Sequence, residues 1–218
     1  MAEKFKGASF SDWLYEQAQF PSLVQLLQGK MVELARSLIG QVPIPNGDIA
    51  NAGNLSCRTA EGCLITRTGC SIVHLDANDW IEVISWNPDT WIPTAKGPAP
   101  NEPSSEIGAH LAIYKARPDV NVIVHLHSRE FVAWARTLGA PLTEEEYPYG
   151  TPEFVAEIIK VLEDHNLVCL CGPEHIGFFA LGGSISEVKE LIRSSLAKIK
   201  EAKFRQTPTN KTCRSARQ

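Results

Sequence analysis

The sequence predicts one α/β domain, a central and mostly antiparallel β-sheet flanked by helices. Two patterns predict it. Apolar residues recur at helical spacing near the start, in the middle and at the end of the chain, and short β-like runs broken by glycine and proline turns lie between them. No repeat and no linker divides residues 1–203, and 218 residues with 44% hydrophobic content suffice for a sizeable single core. The polar, basic stretch "FRQTPTNKTCRSARQ" (204–218) is expected to be a disordered tail.

Residues 10–40 read as helical. Ser11 or Asp12 is placed to cap a first helix, and Pro21 interrupts it. Leu23, Leu26, Leu27, Met31, Leu34, Leu38 and Ile39 form the apolar stripe of a second, with Gly40 at its stop. "PIPNGD" (43–48) is turn chemistry. "NLSCRTAEGCLITRTGCSI" then alternates strand-like runs with glycine breaks, and "DWIEVISWNPDTWIPT" (79–94) reads as two strands around "NPD".

From Ser104 the period becomes helical through Ile107, Leu111, Ala112 and Tyr114, until Pro118. "VNVIVHLH" follows as a strand, and "SREFVAWARTLG" as a short helix stopped by Gly139. "TPEFVAEIIKVLEDH" (151–165) is a helix with Pro152 near its first position. "LVCLC" and "GFFALG" are short strands, and a closing helix starts at the capping-box pair Ser184 and Glu187.

Composition excludes several classes of function. The net charge is −4 with no basic stripe, which disfavours a nucleic-acid partner. The apolar runs are too short for a membrane span, and the N-terminus lacks a signal-peptide pattern. The six cysteines form no CxxC pair, so reduced thiols and a cytoplasmic location are expected.

The candidate chemistry starts at the end of one strand. Alternate strand residues face the same side, so His125 and His127 project together and can share one ion. The alternative is two core or edge histidines bonded to their neighbours. His175 lies in a glycine-flanked loop between two apolar strands, where a third ligand is readily presented. Glu106 falls in the first turn of a helix, where a carboxylate complements the dipole. His110, four residues on, could join Glu106 at a metal but is read as structural. Cys169 and Cys171 share a strand face and are read as packing rather than as zinc ligands. His74 and His165 have no partner in the sequence. Gly53, Asn54 and Ser56, then Thr66, Thr68 and Gly69, put amides and small hydroxyls at turns, as an anion site would. Ser104 and Ser105 offer the same at a helix start.

Taken in order, "AGNLSCR", "LITRTG", "PSSEIGAHLAIYKARPDVNVIVHLHS" and "EHIGFFALG" resemble the class II aldolase/adducin family over roughly residues 30–200. The resemblance implies that His125, His127 and His175 hold a divalent ion, usually Zn2+, with Mn2+ or Co2+ as substitutes. It implies that Glu106 is the acid/base residue and touches the resting metal. Gly53, Asn54, Thr68, Gly69, Ser104 and Ser105 would hold the phosphate of a small sugar phosphate. It also implies a homotetramer with sites near subunit interfaces. The reaction expected is aldol cleavage of a ketose phosphate resembling fuculose 1-phosphate. Epimerases, dehydratases of methylthioribulose phosphate, decarboxylases and the non-catalytic adducin head domain share the scaffold. Three departures stand out. Ile176 separates His175 from Gly177, Arg67 stands where proline is common, and the segment between His127 and His175 is short. Tyr149 or Tyr147, in "EEEYPYG", would replace the family's catalytic tyrosine, and the tail carries no tyrosine.

Overall fold

Strand alternation divides the molecule into two packed faces of one sheet. The computed structural model describes residues 14–38, 40–43, 53–87, 92–172 and 175–206. Expectations for Ser11, Asp12, the 44–48 turn, the residues after Asn87 in the "NPD" turn, Cys213 and the tail beyond 206 lie outside the described residues. The strands are β1 (Leu14–Gln17), β2 (Gly53–Arg58), β3 (Cys63–Thr66), β4 (Trp80–Asn87), β5 (Ile92–Gly97), β6 (Val122–His127), β7 (Leu167–Leu170) and β8 (Gly177–Gly182). They pair in the order β1-β5-β4-β3-β2-β6-β8-β7. Of these strand pairs only β1 and β5 run parallel, and the others are antiparallel. The helices are α1 (Ser22–Leu38), α2 (Ile107–Ala116), α3 (Arg129–Ala133), α4 (Ala135–Leu138), α5 (Pro152–Leu162) and α6 (Ile185–Gln206).

β1 corrects the expectation of a helix before Pro21. Leu14–Gln17 pairs with the edge strand β5, and Tyr15 Oη donates to the Gly97 carbonyl at 2.6 Å. Pairing with a distant edge overrides a local helical preference. In α1 the buried stripe is Val24, Gln28, Met31, Leu34, Ala35 and Leu38, whereas the predicted Leu23 and Leu26 are exposed. The single helix expected after Ser128 is two short ones, α3 and α4, ended by Gly139 in the left-handed region. α5 begins as expected, with Pro152 in its first turn and the Phe154 amide donating to Thr151 Oγ1 at 3.3 Å. α6 starts on the Ser184–Glu187 pair and runs through Gln206, past the boundary expected at 203.

One face of the sheet packs α1, α3, α4 and α6 over Leu55, Cys57, Leu64, Val122, Val124, Leu126, Phe178 and Ala180. The opposite face packs α2 and α5 over Ile65, Ile81, Val83, Ile123, Val168, Phe179 and Leu181. Residues of opposite parity on the same strands supply the two cores, as a pleated strand requires. The same parity that sends Ile123 toward α2 and α5 sends His125 and His127 there, and it aims Asn54 and Ser56 of β2 the same way.

Candidate metal centre and active site

β6 and β2 run side by side with Asn54 opposite His125. Gly53, opposite Leu126, has φ +128°, and a Cβ there would lie 2.1 Å from the His125 carbonyl oxygen. Only glycine permits both that conformation and that approach. His125 is fully buried and its ring stacks on Phe179 at 4.5 Å. Its Nδ1 lies 3.0 Å from the Phe178 carbonyl, which can only accept, so the proton resides on Nδ1 and the Nε2 lone pair faces inward.

His175 comes from the connection between β7 and β8. Its backbone amide donates to Glu146 Oε1 at 3.1 Å, and its ring lies 5.5 Å from Tyr149 and 5.2 Å from Phe154. These contacts bring its ring within 5.2 Å of His125 and 5.0 Å of His127. One nitrogen from each of His125, His127 and His175 lies within 4.8 Å of the others.

Glu106 sits at the N-cap of α2 and makes no capping hydrogen bond, which corrects its expected first-turn dipole role. Its carboxylate turns to the imidazoles instead. Oε1 lies 3.2 Å from His175 Nε2, and Oε2 lies 3.4 Å from His125 Nε2. Asn54 Nδ2 donates to Oε2.

Burial holds two of these imidazoles, His125 and His175, neutral. It pushes His125 well below the usual histidine range, with His127 and His110 adding to the effect. It takes His175 down to about 3, against an opposing pull from Glu106. Neutral imidazole is the form that ligates metals. The donor set also asks for a cation. Glu106 Oε1 and His175 Nδ1 are buried without a hydrogen-bond partner. A proton on His175 Nε2 points at either His125 or Glu106, 3.2 Å away each, and leaves the other lone pair facing a lone pair. A divalent ion would satisfy the facing His125 Nε2, His175 Nε2 and Glu106 Oε1 together, and nitrogen with one carboxylate suits Zn2+, Mn2+ or Co2+.

A cavity of about 190 Å³ opens beside the cluster. Gly53, Asn54, Thr68, Gly69, Ser104 and Ser105 all line it, as do Glu106, His127, His175 and Tyr149. Arg67 lines it too while its Nε donates to Asp79 Oδ1 at 2.9 Å. Tyr147 faces a smaller neighbouring pocket behind His175.

The remaining candidates fall elsewhere. His110 bonds to Asn54 and Ser56 and stands outside the ligand cluster. Cys169 lies on the opposite face of the sheet, its thiol pushed up to about 12 by burial and bonded to the Phe131 carbonyl. Cys171 follows the end of β7, and no cysteine joins the ligand cluster among the described residues. His74 lies on a short 3-10 helix, and His165 follows α5 beside Glu163 and Asp164. The sequence patterns missed Glu146 and Tyr114, and they put Ser56 at an anion-binding turn, whereas it lies buried on β2 and bonds to His110 and Tyr114. Strand parity linking Ser56 to Asn54, and helical spacing linking Tyr114 to His110 and Glu106, carried the signal for two of them.

Residues 43–194 match the class II aldolase and adducin N-terminal domain. The chain belongs to this family. A 5-methylthioribulose-1-phosphate/5-deoxyribulose-1-phosphate aldolase of Rhodospirillum rubrum is 28% identical over 184 residues, covering 76% of the chain and 78% of that enzyme. A methylthioribulose-1-phosphate dehydratase of Sodalis glossinidius is 35% identical over 80 residues, 36% of each chain. The crystal structure of L-fuculose-1-phosphate aldolase from Thermus thermophilus superposes with a TM-score of 0.64 at 23% identity, covering 82% of the chain and 93% of that enzyme. Like these relatives the chain is an enzyme, a class II aldolase-type lyase.

Proposed function

We propose that the chain cleaves a ketose 1-phosphate to dihydroxyacetone phosphate and an aldehyde, with Zn2+, or Mn2+ or Co2+ in its place, held by His125, His127 and His175. The observation that carries this reading is the Glu106 carboxylate, 3.2 and 3.4 Å from two of the imidazoles with one oxygen unpartnered. A bound divalent ion supplies Lewis-acid stabilisation of the charge that develops when the carbon–carbon bond breaks.

The chain's own residues do the rest. Thr68, Gly69, Ser104 and Ser105, with Gly53 and Asn54 on the facing wall, anchor the substrate phosphate and so fix the reacting carbon. Glu106, which would touch the metal at rest, exchanges the proton at that carbon through Oε1, since Oε2 is held by Asn54. Tyr149, against His175 at the cavity wall, stands where a phenol can serve the aldehyde oxygen. The reading extends to a cytoplasmic homotetramer with sites near subunit interfaces.

Aldol cleavage is favoured over dehydration, epimerisation and decarboxylation because the aldolase relative aligns over 78% of its length and the dehydratase over 36%. The test is a panel of ketose 1-phosphates, including fuculose and 5-deoxyribulose 1-phosphates, with zinc-loaded and chelator-treated protein. Dihydroxyacetone phosphate formed only by the loaded protein is expected. A dehydrated, epimerised or decarboxylated product, or no metal bound, would replace this reading.

A further inference from the structure

We infer that His110 is a positioning residue for Glu106, acting through Asn54 along a chain of hydrogen bonds that runs in one direction. The inference rests on the role proposed above for Glu106. The chain is Tyr114–Ser56–His110–Asn54–Glu106, and all five residues are buried. It runs along α2 from its N-cap Glu106 through His110 to Tyr114, and along the α2-facing parity of β2.

Donor chemistry fixes the direction. An ionised carboxylate only accepts, so the Asn54 amide nitrogen faces Glu106 and its Oδ1 faces His110 Nε2, 2.5 Å away. Oδ1 also only accepts, so Nε2 carries the His110 proton. Burial takes His110 down to about 3, so its ring is neutral and Nδ1 is a lone pair. Ser56 therefore donates to Nδ1 at 2.7 Å, which commits its single hydrogen. Tyr114 must then donate to Ser56, also at 2.7 Å.

The consequence falls on the carboxylate. Take away the N–H of His110, and Asn54 Oδ1 is left buried without a donor, so the amide is held at one end only. An amide that shifts to find another donor draws its Nδ2 away from Glu106 Oε2. With the N–H present, Oε2 stays tied to Asn54, and Oε1, 3.2 Å from His175 Nε2, is the oxygen left without a hydrogen bond. His110 thus sets which oxygen of Glu106 is free without touching metal or substrate.

The experiment compares His110→Phe, His110→Gln and His110→Asn in the full chain. A glutamine amide reaches the place of Nε2–H, whereas an asparagine amide reaches only that of Nδ1. The expected result is a kcat about 10–100-fold lower for the Phe variant with KM changed less than about threefold. Recovery of most of that loss is expected with Gln but not with Asn, at equal zinc content. Imidazole nitrogen NMR of the metal-free wild-type chain should show neutral His110 protonated on Nε2. That spectrum needs neither metal nor turnover, so it tests the chain's direction even if the aldolase reading fails. A proton on Nδ1, a folded Phe variant with wild-type kcat, or Gln and Asn variants of equal activity would overturn the inference. Should the Phe variant fail to fold, the Gln and Asn pair decides.

Discussion

The two faces of the sheet are read from the same strands and do opposite things. On the α1/α6 face, β2 and β6 contribute Leu55, Cys57, Val124 and Leu126 to an apolar layer. One residue along, on the α2/α5 face, they contribute Asn54 and Ser56 to a polar chain ending in a carboxylate, and His125 to the imidazoles beside that carboxylate. A buried polar group is costly unless each donor and acceptor is matched, and here the chain matches them up to Glu106. Glu106 Oε1 is left without a hydrogen-bond partner, and it lies beside the imidazole nitrogens where an ion would bind. The α2/α5 face packs a core of its own and carries the chemistry as well, so damage to the apolar layer opposite and damage to the polar chain should show in different measurements.

The sharpest separation comes from the carboxylate. Glu106→Gln keeps the shape and removes the proton exchange, so kcat should fall by about 10²–10⁴ with the fold intact. A Gln variant that turns over at the wild-type rate would move the acid/base role to another group. The reverse experiment is Phe131→Ala on the apolar face. Phe131 is fully buried and its ring stacks on Phe178 at 3.9 Å. Its truncation should cost about 3–5 kcal/mol in denaturant unfolding while kcat per folded molecule stays near wild type. An equal loss of kcat would mean that the faces are not separable.

A smaller effect should appear with acid. A solvated histidine takes up its proton near 6.5, but buried His110 does so only near 3. The unfolded chain is then the better proton acceptor, so stability is complete above pH 6.5 and drains away as pH falls toward 3. For His110 alone the loss is roughly 2 kcal/mol by about pH 5, and His175 shifts in the same sense. Urea midpoints of the metal-free chain at neutral pH and about pH 5 measure it. Coincident midpoints would mean that these rings meet solvent.

Much of the polar face was legible because it obeys local periods. His125 and His127 follow from strand parity, and the turn residues around Thr68 and Ser104 follow from composition. What was lost is nonlocal. β1 exists through an edge far along the chain, and the His175 ring is placed by Glu146, 29 residues earlier. Glu106 moved from the first turn to the cap because boundaries shift easily by a residue or two. Leu23 and Leu26 mimic a buried stripe, yet the face that packs is the one through Val24, Met31 and Ala35.

The third imidazole arrives on a different segment from the first two. His125 and His175 stand 50 residues apart in the chain with 3.2 Å between their nitrogens. An ion joining them is in effect a reversible cross-link across that span, acting on the unfolded chain much as a covalent staple does. The metal should therefore raise resistance to unfolding, and zinc-loaded protein should melt above the stripped chain.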